Sequence, residues 1–163
     1  MNPSSPPFSA EQIRVATPDG HTLDIVTTRE GEVVDRRRTV YFDPDETSVS
    51  MRLAPLNEAG EVVGEAMAAR ITWDDLREHA VFPAETTTVT GETIETPLGQ
   101  FDCARYDVAS GETTLAFWFA AEHPGMPIRY ATLSDGAEVE VTTVVANTRT
   151  VADGAAAEDA AAE

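Results

Sequence analysis

GETIETPLGQFDCARYDVASGETTLAFWFAAEHPGMPIRY, residues 91–130, holds two tight-turn signals, the one cysteine and a tryptophan between two phenylalanines. Pro97-Leu98-Gly99 offers a turn with a glycine able to take positive φ, and Ser110-Gly111 offers a two-residue hairpin loop. With the residues just before it, the stretch predicts antiparallel strands over 86–95, 100–109 and 113–120. In the last of these, TTLAFWFA, Leu115, Phe117 and Phe119 share one face, and Thr114, Ala116, Trp118 and Ala120 share the other. Both faces are apolar, whereas an antiparallel strand ordinarily leaves one face to water. Two buried faces require a second covering layer: a helix, another part of a rolled sheet, or a ligand.

The same rhythm of β-branched runs and turn clusters extends both ways. Towards the N-terminus, turns at Pro18-Asp19-Gly20-His21, Glu30-Gly31, 43–47 and 57–61 separate strands expected over 12–16, 22–29, 32–42, 48–56 and 61–71. Towards the C-terminus, Ser134-Asp135-Gly136 joins strands over 128–133 and 138–148. One helix interrupts the series. Thr72 is placed to cap it, Asp74 and Asp75 sit in its first turn, Trp73, Leu76 and Ala80 form its inward stripe, and Pro83 stops it. A helix this short must lie on the sheet to persist.

The expected fold class is therefore mainly β: one strongly curved antiparallel sheet of about ten strands, a half-barrel or barrel, with one short α-helix. A disordered arm is expected over 1–10, a single β domain over 11–150, and a disordered acidic, alanine-rich tail over 151–163. At 163 residues the chain can bury roughly two thirds of its unfolded surface without staples, and the lone Cys103 cannot close an internal disulfide. No leader-like or membrane-spanning stretch is read, so a cytoplasmic location is expected.

Twenty-nine acidic residues stand against 11 basic ones, a formal charge of -18, and every basic residue is arginine. Such a field repels phosphate backbones and anionic bilayers, which argues against nucleic acid as a partner. The candidate binding residues cluster about the central strand. Trp118, Phe117, Phe119, Tyr106 and Trp73 are candidate pocket walls, with Arg105 or Arg129 as polar anchor. Arg105 could clamp a carboxylate with Tyr106 adding a hydroxyl; alternatively it pairs with Glu92, Glu95, Glu112 or Glu138 across strands. The other reading of Trp118 is that it packs beneath the helix beside Trp73, helix on sheet being the commoner way to bury such a face.

Cys103 reads as a buried core residue, and Asp75 with His79 as a surface pair on the helix. The histidines, His21, His79 and His123, are scattered and lack close metal-ligand spacing, so neither a metal nor another cofactor is expected. There is no nucleophile elbow, phosphate-binding loop or dinucleotide-binding glycine pattern.

Thr96-Pro97-Leu98-Gly99-Gln100-Phe101-Asp102-Cys103, then Trp118-Phe119-Ala120, then Pro124-Gly125-Met126-Pro127-Ile128-Arg129-Tyr130, is similar to the closing strands of the LolA/LolB-like lipoprotein-carrier superfamily and related domains of unknown function. The resemblance spans 86–145 and implies a half-open barrel with helix over its mouth and an apolar cavity inside. Three readings of function follow. The first is non-catalytic binding of an apolar or amphipathic small molecule in the concavity. The alternative is a protein-interaction or structural module. The third is a motif-poor enzyme such as a cyclase, using Asp102, Asp107 or His123 as acid or base.

Overall fold

The computed structural model describes residues 6–148. The tail expected over 151–163 and the first half of the expected arm lie outside the described residues. Nine strands form one antiparallel sheet: β1 (Thr22–Arg29), β2 (Glu32–Phe42), β3 (Ser48–Pro55), β4 (Met67–Thr72), β5 (Thr87–Thr96), β6 (Gly99–Ser110), β7 (Thr113–Ala120), β8 (Arg129–Ser134) and β9 (Ala137–Thr148). Their order is β4-β3-β2-β1-β9-β8-β7-β6-β5. Two hairpin meanders are thus joined through β1 and β9, and the sheet stays open, with β4 and β5 as its edges.

Consecutive strands β4 and β5 lie at opposite edges, so the connection between them has to cross the sheet. It does so with helix α2 (Trp73–Glu78) and a 3-10 turn at Ala84–Thr86. As expected, Thr72 caps α2, its hydroxyl accepting from the Asp75 amide at 3.0 Å. Trp73 and Ala80 are buried and Leu76 is half-buried against the sheet.

Residues 12–16 form a helix rather than the expected strand. α1 (Ala10–Ala16) begins with a reciprocal cap: the Gln12 amide donates to Ser9 Oγ at 3.1 Å, and the Ser9 amide donates to Gln12 Oε1 at 2.8 Å. Glu11 and Arg14 pair along its surface at 2.7 Å. Ile13 and Val15 read as strand alternation, yet only Ile13 points inward; it is 3% exposed and Val15 is 67% exposed. The strand count falls to nine for the same reason. Within the expected arm, Phe8 is buried with its ring edge-on to Phe119 at 6.2 Å.

The sheet carries a core on each face. On the concave face, Leu23, Ile25, Tyr41, Val49, Tyr106, Phe119 and Val144 pack with Phe8, Ile13, Trp73 and Ala80. On the outer face, Phe101, Cys103, Ala116, Trp118, Ala120 and Ala131 form a second cluster, joined by Ile128 at the end of the connection between β7 and β8, which also borders the first core. Cys103 is buried there, and burial first, then Glu122 and Asp102, pushes its thiol up to about 11.

Truncation on α1 reads out its packing. Ile13→Ala is expected to lower unfolding stability by about 2–4 kcal/mol, as for a buried aliphatic side chain. Val15→Ala should change it by less than about 0.5 kcal/mol. Equal losses for the two variants in denaturant titrations would mean that both side chains are buried together, as in a strand.

Candidate functional site

Between the concave face and the connections that cross it lies a pocket of about 300 Å³. Phe117 and Phe119 of β7, Tyr130 of β8 and Val144 of β9 form its floor, α1 contributes Ile13 and α2 contributes Leu76. The β7–β8 connection, 121–128, closes one side with Pro124, Gly125, Met126 and Pro127. That connection is tied to the sheet at both ends: the His123 amide donates to the Ala120 carbonyl at 3.0 Å, and the Ile128 amide to the Trp118 carbonyl at 2.9 Å. Gly125 takes φ +127, a backbone conformation that glycine adopts without strain.

All three histidines of the chain line this pocket. His21 follows the turn at Gly20, its amide donating to the Pro18 carbonyl at 3.0 Å, and its ring stacks on Tyr41 with centroids 5.7 Å apart. His123 comes from the β7–β8 connection and sets its ring edge-on to Phe101 at 5.1 Å. His79 sits at the end of α2. Asn147 of β9 links two of them: its Oδ1 lies 2.7 Å from His21 Nε2 and its Nδ2 lies 2.6 Å from His123 Nδ1. With the amide in this orientation His21 Nε2 donates and His123 Nδ1 accepts. Among the described residues the lining contains no Asp, Glu or Arg. Tyr41 and Tyr130 complete its titratable set, and burial pushes the Tyr41 hydroxyl up to about 12.

This convergence was hidden in the sequence, where the three histidines are separated by dozens of residues and sit in a turn, a helix end and a loop. The available signal was indirect: each lies beside a chain reversal that faces the concave side. The expected Asp75–His79 surface pair does not form among the described residues; Asp75 meets His79 through the backbone, its carbonyl accepting from the His79 amide at 3.1 Å.

The structure divides the residues singled out from sequence. Phe117 and Phe119 line the pocket. Tyr106 stands behind them, edge-on to Phe119 at 5.3 Å and against Phe82 at 5.9 Å. Trp73 is buried beside α1, its indole N–H donating to the Asp45 carbonyl at 2.9 Å. Arg105, Trp118 and Arg129 lie on the outer face, away from the pocket.

There they make a layered stack. Arg105 and Arg129 stand directly opposite Trp118 on the two neighbouring strands, and their guanidinium carbons lie 4.9 and 4.4 Å from its ring centroid. Trp118 Nε1 and Arg105 Nη1 both donate to Glu92 Oε1, at 2.9 and 3.0 Å. Arg105 also holds Asp107, and Arg129 holds Glu138 at 2.7 Å. Of the two roles considered for Arg105, the glutamate pairing is the one formed. The covering layer required by the two-sided apolar strand is thus helix on one face and guanidinium on the other, leaving Trp118 2% exposed. The acid–base candidates are dispersed as well: Asp102 accepts from the Thr93 hydroxyl, Asp107 pairs with Arg105, and only His123 reaches the pocket.

No family model matches the sequence, and no curated protein matches it. Solved structures do. The fold is similar to a chain in the complex structure of Pseudomonas aeruginosa MucA/MucB, with 12% identity over 85% of this chain and 54% of that one, at a TM-score of 0.55. MucB in complex with MucA(peri) matches with 13% identity over 91% of this chain and 56% of that one, at 0.56. MucB solved by itself matches at 0.54, with 13% identity over 91% and 58%. What is shared is the fold. This chain spans little more than half the length of those it matches. Among the described residues no helix is long and apolar enough to cross a membrane, and no cluster of His, Cys, Asp and Glu could hold a metal ion.

The outer stack carries a pH signature. The indole N–H of Trp118, and next the Arg105 guanidinium, hold the Glu92 carboxyl below its ordinary value of 4.5. A carboxylate whose pKa is depressed by folding stabilises the native state above that value and loses its contribution as pH falls below it. In a Trp73→Phe background, Trp118 fluorescence is expected to shift as pH drops below 4.5. Glu92→Gln should remove that step. A step that persists in the variant would place its origin elsewhere.

Proposed function

We propose that this chain is a non-catalytic binding domain whose partner is a protein, recognised when an extended segment of the partner adds to the sheet along β4. The carrying observation is that edge. Among the described residues β4 is hydrogen-bonded only on its β3 side, and its first three residues, Met67, Ala68 and Ala69, are exposed and uncharged, with Met67 at 75%. Val62 and Val63, just before it, are exposed as well. Sheet edges are ordinarily guarded by charge, proline or a bulge. The one arginine of this strand, Arg70, is drawn back over the sheet by Asp43, Asp45, Ser48 and Ser50. At the opposite edge, β5 carries Glu92 and Glu95. The occurrence of MucB, a protein of this fold, in complex with MucA supports a protein partner. The formal charge of -18 favours a partner segment with basic flanks.

A second reading places a small amphipathic molecule in the histidine-lined pocket, and the observation favouring it is the pocket itself, about 300 Å³ of mainly apolar lining on the concave face. It goes with the LolA/LolB-like kinship proposed for the fold, which the open sheet and the helix over its concavity support.

A photo-reactive residue in place of Met67, in cells that make the protein, tests the first reading. A discrete cross-linked protein is expected from that position and not from Val15, and Ala68→Lys with Ala69→Lys should abolish it by placing charge on the edge. Cross-linking that ignores the lysines, or its absence at Met67, would sink the β4 proposal.

A further inference from the structure

Resting on the reading that a partner segment adds along β4, we propose that this segment carries one large apolar anchor, seated over Ala69 between Met67 and Ile71 on the concave side. The anchor sits in a run that alternates apolar and polar residues and ends in basic ones.

Register assigns the two sides of β4. Val49, fully buried in the concave core, stands opposite Ile71, with Met51 opposite Ala69 and Leu53 opposite Met67. Ser50 and Arg52 stand opposite Arg70 and Ala68, and Arg70 bonds back to Ser48 and Ser50 on that outer side. Alternation therefore sets Met67, Ala69 and Ile71 in a row along the concave side, large, small and large. Ile71 and Met51 already pack against the core, while Met67 is 75% exposed. The row has a notch at Ala69 with an apolar wall at each end. On an added strand, the side chain opposite Ala69 has its Cβ about 5 Å away, and the diagonal neighbours at about 7–8 Å are within reach of aromatic and long side chains. A large apolar residue there meets Met67, Ala69 and Ile71 together and carries the concave core one strand further. A small one leaves Met67 in water.

The outer side and the two ends set the rest of the segment. On the outer side it borders exposed Ala68 and Arg70, whose guanidinium is held back over β3 by Asp43 and Asp45, so the intervening positions stay wet and polar. β4 spans Met67–Thr72, about 20 Å of edge, and contains no acidic residue. Acids flank it instead. Exposed Glu65 precedes it and exposed Asp74 follows it, and the Trp73 amide, donating to the Thr47 carbonyl at 3.1 Å, brings exposed Glu46 to the same end. Basic residues at the two ends of the segment meet these carboxylates. A second copy of the chain brings its own charge of -18 and is disfavoured as the occupant.

Two fluorescein-labelled peptides separate the anchor from the reading it rests on. Each has about nine residues, threonine alternating with valine and an arginine at each end, and they differ only in a central phenylalanine or alanine. Fluorescence anisotropy with the whole chain, up to about 1 mM, reads binding, and amide hydrogen exchange of Met67–Thr72 reads its place. The phenylalanine peptide is expected to bind about tenfold more tightly than the alanine one. Ala69→Leu, which fills the notch, should erase that difference, and Ala68→Leu, on the outer side, should retain it. Equal affinity of the two peptides, or a preference that survives Ala69→Leu, overturns the anchor while leaving addition along β4 intact. Binding of neither peptide, or binding without protection of Met67–Thr72, overturns the β4 reading and the anchor with it. A chain that sediments as a dimer by itself, and as a monomer with Ala69→Lys, would put a second copy on the edge and overturn the basic, anchored segment as its occupant.

Discussion

The pairing of β1 with β9 is the constraint on which the rest of the structure depends. It joins the first strand to the last and turns two separate meanders into one sheet. Three side-chain contacts run along or beside it: Arg29 with Glu140 at 2.8 Å, the buried Thr27 and Thr142 hydroxyls at 2.9 Å, and His21 with Asn147 at 2.7 Å. The exposed ion pair contributes little. The buried threonine pair satisfies two polar groups that would otherwise weaken the seam. The His21–Asn147 contact carries the seam directly into the pocket.

With that seam closed, the positions of α2 and the pocket follow from connectivity. β4 ends at one edge of the sheet and β5 begins at the other, so 73–86 must pass over a face. The concave face is the one with aromatic surface left to cover. α1 then packs beside α2, and the 121–128 connection fills much of the remaining border. What is left between them is the pocket. Its polar groups are those which these connections happen to bring with them, which is why histidines from three unrelated places meet there.

The two faces solve burial differently. The concave face uses side chains from helices, which cover area with little charge. Among the described residues the outer face has no helix, and its largest residue, Trp118, is covered by paired arginines whose charges stay near water while their planes shield the ring. The absence of lysine suits this arrangement, since an ammonium would not stack as a plane. It also leaves the β4 edge without the residue most often used to guard one.

Much of the fold was legible in the sequence by itself because it depends on local chemistry. Turn glycines, the Thr72 cap and period-two alternation located most of the strands to within a few residues, together with the α2 start and the pairing of Arg105 with a nearby glutamate. The error at 12–16 was also local: Ile13 and Val15 alternate like a strand, while Ser9 and Gln12 form a cap that outweighs the alternation. Tertiary structure decided which face of β7 turns inward, because alternation defines two faces without giving either a direction. It also decided that Trp118 leaves the pocket and that His21, His79 and His123 enter it. Those three meet only through contacts between residues far apart in the chain, above all the register of β1 against β9, and no spacing within a single segment encodes that register.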